Sequence, residues 1–349
     1  MPERSVVGWD IGGAHVKAAL LQGGQVLDTA QWPCPLWQGT DHLQQALAAA
    51  RLRWPGLHGH AHAVTMTGEM VDLFENRADG VQRIAALLDA ALPAARFFAG
   101  DTGWCDAATA GAQWRQIASA NWLATALHVA RRLPGESGLL LDIGSTTTDL
   151  IAFRGGRVPT RSRSDAERLQ QGELVYQGVV RTPLCALAPR IAWRGQRLNV
   201  MNEFFATTAD LYRLTGELDP AHDQQPSADG KPKDVPHTRA RLARMIGMDS
   251  RDGTADEWLD FARAWRAEQL AELRGQLERI AAAHGLGPGS VLVSAGCGAF
   301  LAPELTPPGW RRLAYASDVA SQVPDAAAGW AQVTATAVAV AALFGPEWR

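Results

Sequence analysis

The chain has little cysteine and no spacing that would pair it. Cys34, Cys105, Cys185 and Cys297 are spread over 349 positions. No CxxC or Cys/His zinc spacing occurs, so separate reduced thiols are expected rather than disulfides or structural zinc. Neither sign of charge is in excess, with 33 Lys and Arg against 36 Asp and Glu and a formal net charge of -3. Such a balance gives no field to steer the whole surface onto nucleic acid or an anionic membrane, and neither is expected as a partner. There is no run of 18 apolar residues and no basic-then-apolar leader, so a cytoplasmic protein is expected. Tyrosine is scarce at three residues, whereas thirteen tryptophans are many for this length. Most of these are read as core or interface residues.

What is present is a folded composition, 47% apolar and 20% charged, in a chain long enough for two domains. A pattern occurs twice. Val6-Val7-Gly8-Trp9-Asp10-Ile11-Gly12-Gly13-Ala14-His15-Val16-Lys17 returns in altered form as Leu139-Leu140-Leu141-Asp142-Ile143-Gly144-Ser145-Thr146-Thr147-Thr148-Asp149-Leu150. Each copy is an apolar run, an Asp, small residues able to turn tightly, and a second apolar run. Strands are expected at 5–11, 16–21 and 26–32, then again at 139–143 and 148–153, with a weak third strand at Val158–Arg161. Helices are expected at 40–53, 76–91 (capped by Asn76 or Asp79), 116–133, 202–216, 255–284 and 327–343. Short strands are expected at 61–65, 96–99 and 290–294, and an irregular hairpin around Arg194-Gly195. Residues 217–240, rich in Asp, Pro, Gln and Lys, read as a mobile surface loop.

Gly12 and Gly13 let backbone N–H groups approach a phosphate without obstruction. A carboxylate beside phosphate repels it unless a cation intervenes, so Asp10, and Asp142 in the second copy, are candidate holders of hydrated Mg²⁺ or of the loop itself. Gly144, Ser145, Thr146 and Thr147 are the second set of phosphate donors. Lys17 could reach a phosphate, and His15 at the turn could donate to one or act as acid or base. Glu69 and Asp101 end predicted strands, where α/β proteins often place site residues. Glu173 and Arg181 lie in Gly172–Pro183, with Arg181 a candidate bidentate clamp for phosphate or carboxylate. Asp210 is read either as an aid to a metal or a partner for an amine, or as an exposed helix residue. Gly296 and Gly298, in Ser294-Ala295-Gly296-Cys297-Gly298, permit close approach of a flat ring. Ordinary β-turns with capping Asp residues are the alternative reading of the repeat.

These motifs resemble the phosphate and adenosine motifs of the actin, sugar kinase and heat-shock ATPase superfamily. The resemblance implies an α/β fold of two ribonuclease-H-like lobes around a ligand cleft. Residues 1–137 would be the first lobe, completed by 327–349, and 138–326 the second, with the mobile segment near 217–240 inserted. A narrower resemblance rests on Gly8–Lys17, Thr65-Met66-Thr67-Gly68-Glu69-Met70-Val71-Asp72-Leu73-Phe74, Gly172–Pro183 and Asn202–Asp210. These are similar to the hydantoinase/oxoprolinase-like group linked to tetrahydromethanopterin-dependent one-carbon transfer. That similarity implies a transferase of methanofuran-type cofactor biosynthesis. It would join a furan-methylamine diphosphate to the phenol of a γ-glutamyl-tyramine or tyrosine acceptor and release diphosphate. Mg²⁺ is the expected cofactor. ATP or ADP in the cleft and a homodimer are left open. A kinase or ATPase on the same scaffold, or a non-catalytic nucleotide-sensing protein, are the rival readings.

Overall fold

The computed structural model describes residues 5–320 and 323–344. The chain opens with β1 (Ser5–Ile11), β2 (His15–Gln22) and β3 (Gln25–Pro33), a meander with Gly23 and Gly24 at positive φ in its second turn. Helix α1 (Asp41–Arg53) leads to β4 (Ala61–Met66), and α2 (Arg77–Ala91) to β5 (Arg96–Phe98) and β6 (Trp104–Cys105). The Asn76 side chain accepts from the Asp79 N–H and so caps α2, satisfying one of the free donors of its first turn. The helix expected at 116–133 is in two parts. A turn at Trp114–Ile117 is followed by α3 (Asn121–Arg132), and Ser119 between them has φ of 52°, which no helix accommodates.

The second copy of the repeat forms β7 (Ser137–Ile143) and β8 (Thr148–Arg154). No strand forms at 158–161, where Pro159 has no N–H to give a ladder. The chain instead makes α4 (Asp165–Gln171), and β9 (Leu174–Val175) pairs antiparallel with β8. The hairpin around Arg194-Gly195 is present as β10 (Arg190–Trp193) and β11 (Gln196–Asn199). Helix α5 (Thr208–Thr215) starts later than expected: Thr207 and Asp210 form a capping box, and Asn202 and Glu203 lie exposed before it. Helix α6 (Val235–Arg244) begins inside the segment read from composition as a loop, capped by Asp234. Helix α7 (Ala255–Ala283) runs unbroken for 29 residues. After β12 (Val291–Ala295) and β13 (Arg311–Ala314), α8 (Asp325–Val333) and α9 (Ala335–Leu343) divide at Thr334 what the sequence suggested as one helix.

Two sheets carry the fold. The first has the order β3-β2-β1-β4-β5-β6, the second β13-β12-β7-β8-β9. In the second, β7, β8, β9, β12 and β13 take the places of β1 to β5, so the duplication seen at the hairpins extends to the sheet. The chain divides into two compact units: residues 1–140, 151–170 and 313–349, and residues 141–150 and 171–312.

In the first unit, β1 runs antiparallel to β2 and parallel to β4. Its core gathers Val7, Trp9 and Ile11 with Leu43 and Leu47 of α1 and Val81, Ile84 and Leu88 of α2, all but fully buried. Each large aliphatic side chain so placed contributes about 1.5–3 kcal/mol. On the other face α9 lies against β1, β2 and β4. It approaches so closely that a Cβ on Gly8 would sit 2.1 Å from the Ala337 carbonyl oxygen. Its run of Ala residues makes that approach feasible. In the second unit an aromatic cluster ties the β10–β11 hairpin to α7, with Trp193 stacked on Trp258 at 4.4 Å and Phe261 against both. Half of the twelve described tryptophans are buried: Trp9, Trp54, Trp122, Trp193, Trp258 and Trp265.

Gly8→Ala should force α9 off the sheet and destabilise the protein by about 1–3 kcal/mol, the usual cost of overpacking. Denaturant unfolding followed by far-UV circular dichroism measures it, and an unchanged midpoint would contradict the close contact.

Candidate functional site

In the first unit, Gly12 N–H donates to the His15 carbonyl at 2.9 Å and closes the β1–β2 turn. A Cβ on Gly12 would lie 2.9 Å from that same oxygen, so the position demands glycine. Asp10 precedes the turn. Register places it opposite Lys17 on β2 and Thr65 on β4, with the three side chains on one face of the sheet. Asp10 is 4% exposed, and its Oδ2 accepts from Thr336 Oγ1 on α9 at 2.6 Å. Its Oδ1 is buried without a hydrogen-bond partner. A buried carboxylate oxygen left unsatisfied is costly unless a cation or donor completes it, so Asp10 fits the Mg²⁺ expected for it.

The segment after β4 backs this turn. Thr67 N–H donates to the Ile11 carbonyl, and a Cβ on Gly68 would meet the Ile11 and Gly12 carbonyls at 3.1 and 3.3 Å. Glu69 follows, fully buried, with Oε1 accepting from Ser119 Oγ at 2.9 Å and Oε2 unpartnered. Gly80 of α2 packs on its backbone, leaving no room for a side chain. Burial pushes the Glu69 carboxyl up to about 7, against the lowering effects of its hydrogen bonds and of Arg77. The donor Ser119 is the non-glycine residue held at positive φ between the two helical pieces. Such backbone strain at a polar contact is characteristic of functional regions. Arg77 is ion-paired with Asp165, which also pairs with Arg168, and Arg168 lies over the Trp122 ring at 4.4 Å.

In the second unit the turn is closed in the same way. Gly144 N–H donates to the Thr147 carbonyl at 2.8 Å. Two loops are docked on it. Val179 N–H donates to the Gly144 carbonyl, and Val180 and Arg181 N–H donate to the Ser145 carbonyl. A Cβ on Gly178 would lie 2.4 Å from the Ser145–Thr146 backbone. From the other loop, Gly298 N–H donates to the Ile143 carbonyl at 2.8 Å. Gly296, at φ of 83°, is packed so close that a Cβ would meet the Ile143 carbonyl at 2.1 Å and Asp142 Oδ1 at 2.5 Å. Arg181 Nη1 donates to Thr146 Oγ1 at 3.3 Å. Burial draws its pKa below the usual guanidinium value, with the Tyr176 phenol opposing. The 178–181 segment is held from behind: Tyr212 OH donates to Gln269 Oε1 at 2.7 Å, and Gln269 Nε2 donates to the Gly178 carbonyl at 3.1 Å.

The structure thus gathers Gly12, Gly13, Asp10 and Lys17 around one turn, whereas Glu69 is buried against Ser119 and α2 behind the segment that backs it. Asp142, Gly144, Ser145, Thr146, Thr147, Arg181, Gly296 and Gly298 stand around the other. His15 is not an exposed turn residue: it begins β2 and is buried. Asp101 is on the surface, where it accepts from Arg163 Nε at 2.6 Å. Glu173 is buried, and its backbone carbonyl accepts from Leu150 N–H as β9 joins β8. Asp210 is no exposed helix residue: it is buried against Arg241 and Arg213 and bound into the α5 cap. Asp229, in the segment read as mobile, pairs with Arg241 and Arg244 of α6. Among the described residues no group of three or more His, Cys, Asp or Glu side chains is assembled for a metal. A cation here would take further oxygens from its ligand and from water, as Mg²⁺ commonly does. Thr336, Ser119, Gln269 and Tyr212 escaped the sequence analysis, because nothing local marks a Thr, Ser, Gln or Tyr as a distant loop's partner. No helix is long and apolar enough to cross a membrane among the described residues.

Glu69 makes stability depend on pH in a defined direction. Its folded pKa of about 7 lies above the ordinary 4.5, so its contribution is full below about 4.5 and is lost as pH rises through 7. Glu69→Gln keeps an acceptor for Ser119 and cannot ionise. The stability of the variant relative to wild type should therefore rise by about 3 kcal/mol between pH 4.5 and 8, an order-of-magnitude figure from the shift. Urea unfolding across that range checks it, and a flat difference would show that Glu69 is not buried as charged-state cost requires.

The pattern of the Hydantoinase/oxoprolinase family matches residues 60–336. The (4-{4-[2-(γ-L-glutamylamino)ethyl]phenoxymethyl}furan-2-yl)methanamine synthase of Methanocaldococcus jannaschii is 29% identical over 282 residues, 80% of this chain and 83% of that protein. The enzyme of the same name from Methanococcus vannielii is 30% identical over 148 residues, 42% of this chain and 66% of that protein. Among solved structures, nucleotide-free acetone carboxylase aligns at a TM-score of 0.57 with 12% identity, covering 97% of this chain and 70% of that one. The two sheet-cored α/β lobes are those expected of the actin, sugar kinase and heat-shock ATPase superfamily, and within it the chain belongs to the hydantoinase/oxoprolinase family.

Proposed function

We propose that the protein is a transferase of methanofuran or methylofuran biosynthesis. It would condense a furan-methylamine diphosphate with the phenol of a γ-glutamyl-tyramine or tyrosine acceptor and release diphosphate. The observation that carries this reading is the pair of glycine turns closed by the same hydrogen bond. They accompany similarity across four-fifths of the chain to a protein whose name describes the phenoxymethyl-furan product.

The chemistry asks for little covalent participation. The bond between the furan methylene carbon and the ester oxygen breaks, and the diphosphate leaves with the electron pair. The furan ring stabilises the resulting cation. The phenol oxygen then forms the ether bond, and its proton passes to a base. The N–H groups and hydroxyls of Ser145, Thr146 and Thr147 suit the developing charge on diphosphate, and Arg181, fixed at Thr146, neutralises it. In each unit the Asp of the repeat, Asp10 in the first and Asp142 in the second, is the residue that would hold Mg²⁺, which supplies further charge neutralisation when bound. Lys17, on the Asp10 face, adds a positive charge beside the first turn. Glu69 is the base we favour among the candidates, since its carboxyl titrates near neutrality and its Oε2 has no other engagement. Asp101, tied to Arg163 on the surface, is the weaker candidate.

Purified protein with Mg²⁺, the furan-methylamine diphosphate and either acceptor should yield equal amounts of ether product and diphosphate without ATP, followed by mass spectrometry. ATP-dependent phosphorylation or hydrolysis with no ether would place the protein among the kinases and ATPases instead. Arg181→Ala should lower kcat/KM by about a hundredfold, the scale of losing one transition-state charge contact. Arg181→Lys should recover only part, because a lysine lacks the planar fork.

A further inference from the structure

Three in-register positions across the first sheet carry polar side chains on one face: Lys17 on β2, Asp10 on β1 and Thr65 on β4. The α9 helix covers this face and contributes Thr336. Asp10, Thr65 and Thr336 are each at most 5% exposed. Within this dry row two oxygens have no hydrogen-bond partner, Asp10 Oδ1 and Thr65 Oγ1. They stand on adjacent hydrogen-bonded strands, whose backbones run about 4.8 Å apart. Orphaned buried oxygens are rare and costly, and two on neighbouring strands point to one shared ligand.

The carboxylate is also held asymmetrically. Thr336 donates to Oδ2 and leaves Oδ1 as the free ligand atom. A carboxylate oriented by a hydroxyl in this way is the usual means by which proteins fix a metal-binding oxygen. A threonine hydroxyl both donates and accepts, so Thr65 can satisfy its own hydroxyl on a water held by a cation.

We infer that Thr336 and Thr65 are positioning residues for a hydrated divalent cation at Asp10, Thr336 by fixing Oδ2 and Thr65 by binding the cation's water. This rests on the reading of Asp10 as a cation holder, not on the furan chemistry. The covering helix is then part of the site as well as of the core, and residues 326 positions apart in sequence act on one carboxylate.

The test is calorimetric titration of the full-length protein with inorganic diphosphate, with and without Mg²⁺. Wild type should bind the Mg²⁺ complex. Thr336→Val, close in shape but without the hydroxyl, should weaken that binding about tenfold, and Thr336→Ser should restore it. Thr65→Val should weaken it several-fold and Thr65→Ser restore it. In all four variants binding of diphosphate without Mg²⁺ should be unchanged. Folded valine variants that bind the Mg²⁺ complex like wild type would overturn the inference, as would equal losses with and without Mg²⁺. Should the valine variants not fold, Thr336→Ala and Thr65→Ala are read by the same criterion. Wild type that makes ether product yet shows no Mg²⁺-dependent diphosphate binding overturns the inference and leaves the transferase reading standing. Threonine-dependent binding with no ether product does the reverse.

Discussion

One backbone hydrogen bond, used twice, organises this protein. A glycine N–H just after β1, and again just after β7, donates to the carbonyl three residues on. That bond turns the chain back on itself while leaving the loop thin. The thinness matters because other segments then pack against bare backbone. Gly68 approaches the first turn closely, and Gly178, Gly296 and Gly298 pack at the second at distances no β-carbon would tolerate.

Around these turns the two units satisfy their polar groups differently. The first places its carboxylates in dry surroundings. Asp10 has one hydroxyl partner, and Glu69 has one from a strained Ser119 and stays protonated up to near neutral pH. The second presents hydroxyls and a guanidinium, with Thr146 accepting from Arg181. The first turn thus stands beside a buried carboxylate oxygen, and the second beside hydrogen-bond donors.

Charged residues elsewhere do structural work. Asp210 neutralises the buried Arg241, and Asp229 joins Arg241 to Arg244. Removing one partner from such a set would leave an uncompensated buried charge, which is why these groups read as architecture despite their chemistry.

The sequence by itself determined the two Asp-Ile-Gly turns, the strands beside them and the capped α2, because each depends on residues within a few positions. Gly12 and Gly144 are legible since a tight turn admits little else there. Composition read 217–240 as a loop, and 217–234 is irregular apart from a short turn at Pro220–His222, but it hid that α6 starts at Val235 and that several of the charges pair with one another and with α6. Only the tertiary structure chose β9 over residues 158–161 as the third strand of the second sheet, since strand pairing depends on what lies alongside. It also drew Thr336 to Asp10 and Gln269 to Gly178. Hydrogen bonds between residues so far apart have no local signature, and they exist only once helices and sheets have packed.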